Sequence, residues 1–173
     1  MKFAVKAAGL CLLLAVAGCA GPSVAVAPDE NPAVLQRAEP RGGFADFGTQ
    51  RVWASGLSIT VGPPQSLKPS ETAFPQAART AVFTVTVFNG SKVTFRPSQL
   101  SVRALAGGQP TPELTDSVQG LNGLAAAVRE LQPGQDTKLT LAFAVPENPV
   151  DLRLTVLPGG PGQDTATDFE GQA

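Results

Sequence analysis

The chain of 173 residues has no histidine and no tyrosine, and only two cysteines, one methionine and one tryptophan. Each absence removes a chemistry. Histidine is the usual general base near neutral pH and the commonest transition-metal ligand. Without it, neither a Ser-His-Asp nor a Cys-His constellation can be built. Charge is also sparse, at 16% of residues, with no block of either sign. Nucleic-acid partners require a basic stripe, and anionic headgroups a polybasic patch. Neither is present, so no nucleic-acid partner is expected. No cofactor and no metal site are expected either.

What is present begins at the N-terminus, MKFAVKAAGLCLLLAVAGCAG. Lys2 and Lys6 make a positive start, and residues 7–18 are uncharged and rich in Leu, Ala and Val. That run is shorter than the roughly 20 residues a bilayer-spanning helix needs. It reads as a secretory h-region. It ends Val16-Ala17-Gly18-Cys19, small residues directly before a cysteine. The segment resembles the bacterial lipoprotein signal. That resemblance implies cleavage after Gly18 and acylation of Cys19, which becomes the first residue of the mature chain. Two or three acyl chains, at about 0.8 kcal/mol per buried CH₂, hold a protein to a membrane where one does not. The expected location is the bacterial cell envelope, lipid-anchored on the extracytoplasmic side. Ala20 lacks the Asp that often retains lipoproteins at an inner membrane, so an outer membrane is permitted.

On this reading Cys11 leaves with the signal and Cys19 is acylated, so nothing remains for a disulfide. The mature chain keeps 11 basic and 14 acidic side chains, a net of about −3.

Residues 19–50 hold the lipidated cysteine and a Pro-, Gly- and Ala-rich stretch with no sustained period. They are expected to form a flexible tether, with an r.m.s. reach of roughly 30 Å. Phe44 and Phe47 mark where it begins to dock. Residues 158–173, PGGPGQDTATDFEGQA, read as a disordered tail. Residues 51–157 are then one domain with one small core.

Within it, period-2 alternation predicts strands. Trp53, Ser55, Leu57, Ile59 and Val61 share one face of 52–61. Phe83, Val85 and Val87 share one face of 81–88, and Leu100, Val102 and Ala104 another. Leu139, Leu141, Phe143 and Val145 alternate with Lys138, Thr140, Ala142 and Ala144. Leu152, Leu154 and Val156 alternate with Asp151, Arg153 and Thr155. One wet face and one buried face is the mark of antiparallel sheets. The fold class is all-β, an immunoglobulin-like antiparallel β-sandwich of about seven strands. The segment 121–130 is read as a short helical turn; a strand over 128–131 is the alternative.

Asn89-Gly90 is a strong signal for a two-residue hairpin. Parity rejects it: Val87 would face Lys92, and Val85 would face Thr94. A crossing to the second sheet is preferred. A three-residue hairpin with Gly90 left-handed comes second.

FTVTVFNGSK, the Pro133-Gly134 turn and Phe143-Ala144-Val145-Pro146 together resemble an immunoglobulin-like extracellular domain of many bacterial lipoproteins. The mycobacterial secreted immunoprotective antigens share that architecture. The resemblance implies a fold and a cell-surface setting, and carries no catalytic residue.

Carboxylates are the remaining candidates for chemistry. Glu147 and Asp151 flank Asn148-Pro149, and Glu113 and Asp116 lie in a Pro/Thr loop. Both pairs read as solvated loops, and Ser91 beside Lys92 reads as a turn. Trp53 reads as core. Val82, Thr84, Thr86 and Phe88, the opposite face of 81–88, are the candidate partner-contact face. The expected function is non-catalytic: a membrane-anchored envelope lipoprotein whose sandwich binds an envelope protein or a glycan. A small-ligand carrier or carboxylate-dependent enzyme is the alternative, and a passive spacer the second.

Overall fold

A computed structural model describes residues 43–159 and 164–173. The signal segment 1–18, Cys19 and most of the expected tether therefore lie outside the described residues. Among the described residues ten strands are present in chain order: β1 (Phe44–Asp46), β2 (Gln50–Val52), β3 (Leu57–Val61), β4 (Gln65–Leu67), β5 (Arg79–Asn89), β6 (Ser101–Ala106), β7 (Gln109–Thr111), β8 (Asp136–Val145), β9 (Asp151–Leu157) and β10 (Thr167–Gln172).

They form two sheets. The first has the order β1-β10-β9-β6-β7. The second is built on β5, with β3 and β4 along one side, β2 beyond β3, and β8 along the other side. Every pairing is antiparallel except β1 with β10, which is parallel. The fold is thus an all-β sandwich, with more and shorter strands than the seven expected.

The core lies between the sheets, where alternation sends the apolar residues. Ile59, Val61, Phe83, Val85, Val87, Leu141, Leu154, Val156 and Phe169 are at most 1% exposed. Phe83 links two other rings, Phe47 at 5.1 Å and Phe143 at 6.2 Å between centroids. Trp53 packs in this core, and its indole N–H donates to the Thr165 carbonyl at 2.7 Å.

Three expectations need correction. Within 158–173, read as a disordered tail, Thr167–Gln172 is a strand instead: β10 lies between β1 and β9 and inserts Phe169 into the core. Pairing on both sides satisfies its backbone, so one aromatic residue is enough apolar content. Gly171 is required there, because a Cβ would sit 2.6 Å from the Phe47 ring. Secondly, the sandwich begins at β1, inside the stretch assigned to the tether, and Phe47 packs against the core. Thirdly, 52–61 is two strands, because Trp53 and Gly56 close a turn, with Gly56 N–H donating to Trp53 O at 2.9 Å. The short helical turn read over 121–130 is present as a 3-10 turn, Leu124–Ala126, and over 128–131 only an isolated bridge, Leu131 to Phe95, is formed.

After Asn89 the chain leaves the second sheet and enters the first at β6, so Asn89-Gly90 is a crossing. Asn89 is fully buried. Its amide donates to Val93 O at 2.8 Å and Leu131 O at 2.9 Å, and its Oδ1 accepts from Ser91 N and Oγ at 3.1 and 2.6 Å. Its backbone meets the Pro133-Gly134 turn, with Gly134 N–H donating to Asn89 O at 2.7 Å. Gly90 is needed because a Cβ would lie 2.6 Å from the Gly56 carbonyl oxygen.

Candidate interaction site

Register decides which side chains share the outer face of the second sheet, because directly opposed residues point the same way. One row is Val52, Ser58, Phe88 and Asp136; the next is Gln50, Thr60, Thr86 and Lys138. Thr84 and Thr140 follow, then Gln65, Val82 and Ala142, then Leu67, Thr80 and Ala144. The predicted contact residues Val82, Thr84, Thr86 and Phe88 therefore do lie on one face of β5.

That face is divided. Residues 67–77 and 112–121 fold over the end of the sheet that carries Val82. Phe74 and Thr115 exchange two backbone hydrogen bonds of 2.8 Å. Ala73, Leu114, Leu121 and Ala142 form a second buried cluster, with Val82, Leu67, Ala77 and Ala144 packed against it. Val82 is half-buried there and is removed from the expected open face. The covering loops bring apolar side chains of their own, which a strand reading of β5 alone does not reveal. Thr84 remains exposed, Phe88 is 40% exposed, and Val52 is 51% exposed.

Asp116 secures the cover. Expected in a solvated loop, it is instead 1% exposed. Its carboxylate accepts from the Ser70 amide at 2.7 Å and the Ser70 hydroxyl at 2.8 Å. Burial acts to raise its pKa. The Ser70 hydrogen bonds, with the amides of Gln119 and Val118, outweigh burial and hold the carboxyl below its ordinary 3.8. Its loop neighbour Glu113 faces elsewhere and accepts from Leu124 N–H at 2.7 Å.

The outer face of the first sheet is chemically different. Arg153 sits between Glu170, at 2.5 Å, and Asp168, at 4.0 Å, and lies 5.3 Å from the Phe44 ring centroid. Thr155 donates to Asp168 at 2.6 Å. A depression of about 610 Å³ opens there, lined by Asp46, Asp151, Arg153, Glu170 and Gln172. Its central charges are already paired with one another.

A second groove, of about 530 Å³, lies at the Asn89-Gly90 corner and is lined by Ser55, Leu57, Ser91, Val93, Phe95 and Asp164. Ser55 donates to Asp164 at 2.5 Å. Ser91 Oγ is engaged by Asn89, so Ser91 and Lys92 do not form a dyad. Glu147 stays exposed on the loop joining β8 to β9, and Asp151 stays exposed at the start of β9. Among the described residues no group of three or more acidic, His or Cys side chains is arranged to hold a metal ion.

No protein-family model and no curated protein matches the sequence. Three solved structures are similar in shape. The Bacillus subtilis "putative lipoprotein" ycdA superposes with a TM-score of 0.56 at 13% identity, over 73% of this chain. This chain spans only 38% of ycdA. The yjhA protein of the same organism gives 0.55 at 12% identity, over 72% of this chain and 97% of its own. An uncharacterized beta-sandwich protein of Clostridium difficile 630 gives 0.49 at 10% identity, covering 78% and 97%. At such identities the ycdA and yjhA likenesses establish a shared fold alone.

Proposed function

We propose that this protein is a lipid-anchored envelope lipoprotein. Its sandwich is a non-catalytic binding module that holds a glycan strand on the open half of the second sheet. The carrying observation is the size and chemistry of that half. Two rows across four strands and a third row of two hold ten outward positions, each about 4.8 Å by 7 Å, and so cover roughly 330 Å². A stable protein interface takes about 800 Å² from each partner. The patch is therefore matched to a narrow partner. Thr60, Thr84, Thr86 and Thr140 offer hydroxyls that both donate and accept, as sugar hydroxyls do. Phe88 and Val52 supply an apolar end for the face of a sugar ring. Fixed charge enters only with Asp136 and Lys138 on β8.

The anchoring half of the proposal rests on the Val16-Ala17-Gly18-Cys19 motif, with the name of ycdA as circumstantial support. Cys19→Ser is expected to abolish fatty-acid labelling and to release the protein from the membrane fraction. A variant that stayed membrane-bound would overturn it. For the binding half, the detergent-purified lipoprotein is incubated with isolated cell-wall polysaccharide and sedimented. Retention is expected, and Phe88→Ala should reduce it while leaving the melting transition in place. No retention, or equal retention of the variant, would overturn the glycan reading.

A further inference from the structure

The chain contains two Asn-Gly pairs, Asn89-Gly90 and Asn122-Gly123, and the structure places them in opposite environments. We propose that Asn122 is a site of spontaneous deamidation, and that folding directs this chemistry to Asn122 and away from Asn89.

The reaction needs only water. The amide nitrogen of the following glycine, after losing its proton, attacks the asparagine Cγ. The Cγ–Nδ2 bond breaks and ammonia leaves, giving a cyclic succinimide. Water then adds to either ring carbonyl and opens it to aspartate or isoaspartate. Overall, an amide and water become a carboxylate and ammonium. Glycine permits the attack because it has no side chain to crowd the nitrogen.

Asn89 cannot follow this course while folded. It is 0% exposed, and both ends of its side-chain amide are held, the nitrogen by two carbonyls and the oxygen by Ser91. Gly90 is wedged against Gly56. Asn122 is exposed, and its amide makes a single long contact, 3.5 Å to Gly120 O. No partner for the Gly123 N–H is found among the described residues.

Conversion also has a structural consequence. Glu113 Oε1 lies 3.1 Å from the position a Gly123 Cβ would take, and it accepts from Leu124 N–H at 2.7 Å. Leu124 packs on the main core. A new carboxylate, or the extra backbone methylene of isoaspartate, at 122 places repulsion or a register error beside this contact. Leu124 should then dock less firmly.

The test ages the intact protein at mildly alkaline pH and maps its tryptic peptides, 80–92 for Asn89 and 104–129 for Asn122. The 104–129 peptide is expected to gain the mass of an amide-to-acid exchange and to become a substrate for isoaspartyl methyltransferase. The 80–92 peptide should convert about 10³-fold more slowly or less, since its reaction waits on unfolding. In denaturant both should convert at comparable rates. An unchanged Asn122, or similar rates in the folded protein, would overturn the proposal. Asn122→Gln, which leaves Gly123 in place, should keep its melting temperature on ageing while the parent protein's falls. Conversion without that fall would overturn the structural consequence.

Discussion

The two outer faces of the sandwich come from the same kind of sequence, alternating apolar and polar residues, yet they differ in chemistry and in cover. On the first sheet the outward residues carry charge and satisfy one another, as Arg153 does with Glu170 and Asp168. On the second sheet they are mainly hydroxyl-bearing or apolar, with charge in these rows at Asp136 and Lys138, and the sheet is half covered by chain from elsewhere. A face that neutralises its own charges has little to offer a partner. A face left with hydroxyls and one exposed aromatic ring does.

The sharpest break in this comparison is at the cover. Leu114 is fully buried in the second cluster, so Leu114→Ala should cost about 2–5 kcal/mol. Urea unfolding would measure it, and a loss below 1 kcal/mol would mean the cover is not packed as described. It should also expose Val82, enlarging the open face.

The next effect is in pH. The folded pKa of Asp116 lies below its ordinary 3.8, so this carboxylate stabilises the fold fully above that value. The contribution is lost as pH falls below 3.8 and through the lowered folded value. Asp116→Asn should be less stable at neutral pH and should lose less stability on acidification. Equal acid slopes for the two proteins would exclude a role for Asp116 in anchoring the cover.

On the first sheet, Arg153→Ala should cost no more than about 1 kcal/mol, because its pairs are half-exposed and screened by salt. A larger loss, insensitive to salt, would show that this face is held more rigidly than its exposure suggests. The smallest stability effect belongs to Thr84→Ala, within about ±0.5 kcal/mol. It should nevertheless weaken sedimentation with polysaccharide.

Legibility in the sequence followed the range of the interactions involved. β8 and β9 were readable because Leu139 to Val145 and Leu152 to Val156 alternate without interruption. Trp53 was readable as core from its spacing to Leu57, although a turn separates them. The Asn89-Gly90 crossing was readable by parity, because a hairpin would have opposed apolar and polar faces. β10 was hidden: Phe169 is its one large apolar residue, amid composition typical of a tail. Its stability comes from two neighbouring strands distant in the chain. Asp116 was likewise hidden, because its partner Ser70 is 46 residues away.

By itself, the sequence determined the strand periods, the exclusion of histidine-based chemistry, and the resemblance of the N-terminus to a lipoprotein signal. Alternation and composition are local properties that survive without knowledge of neighbours. Only the tertiary structure decided which outer face stays open, that the apparent tail completes a sheet, and which of two identical Asn-Gly pairs is shielded. Those outcomes depend on which distant segments pack together, and on the backbone groups and side chains they bring to meet a strand.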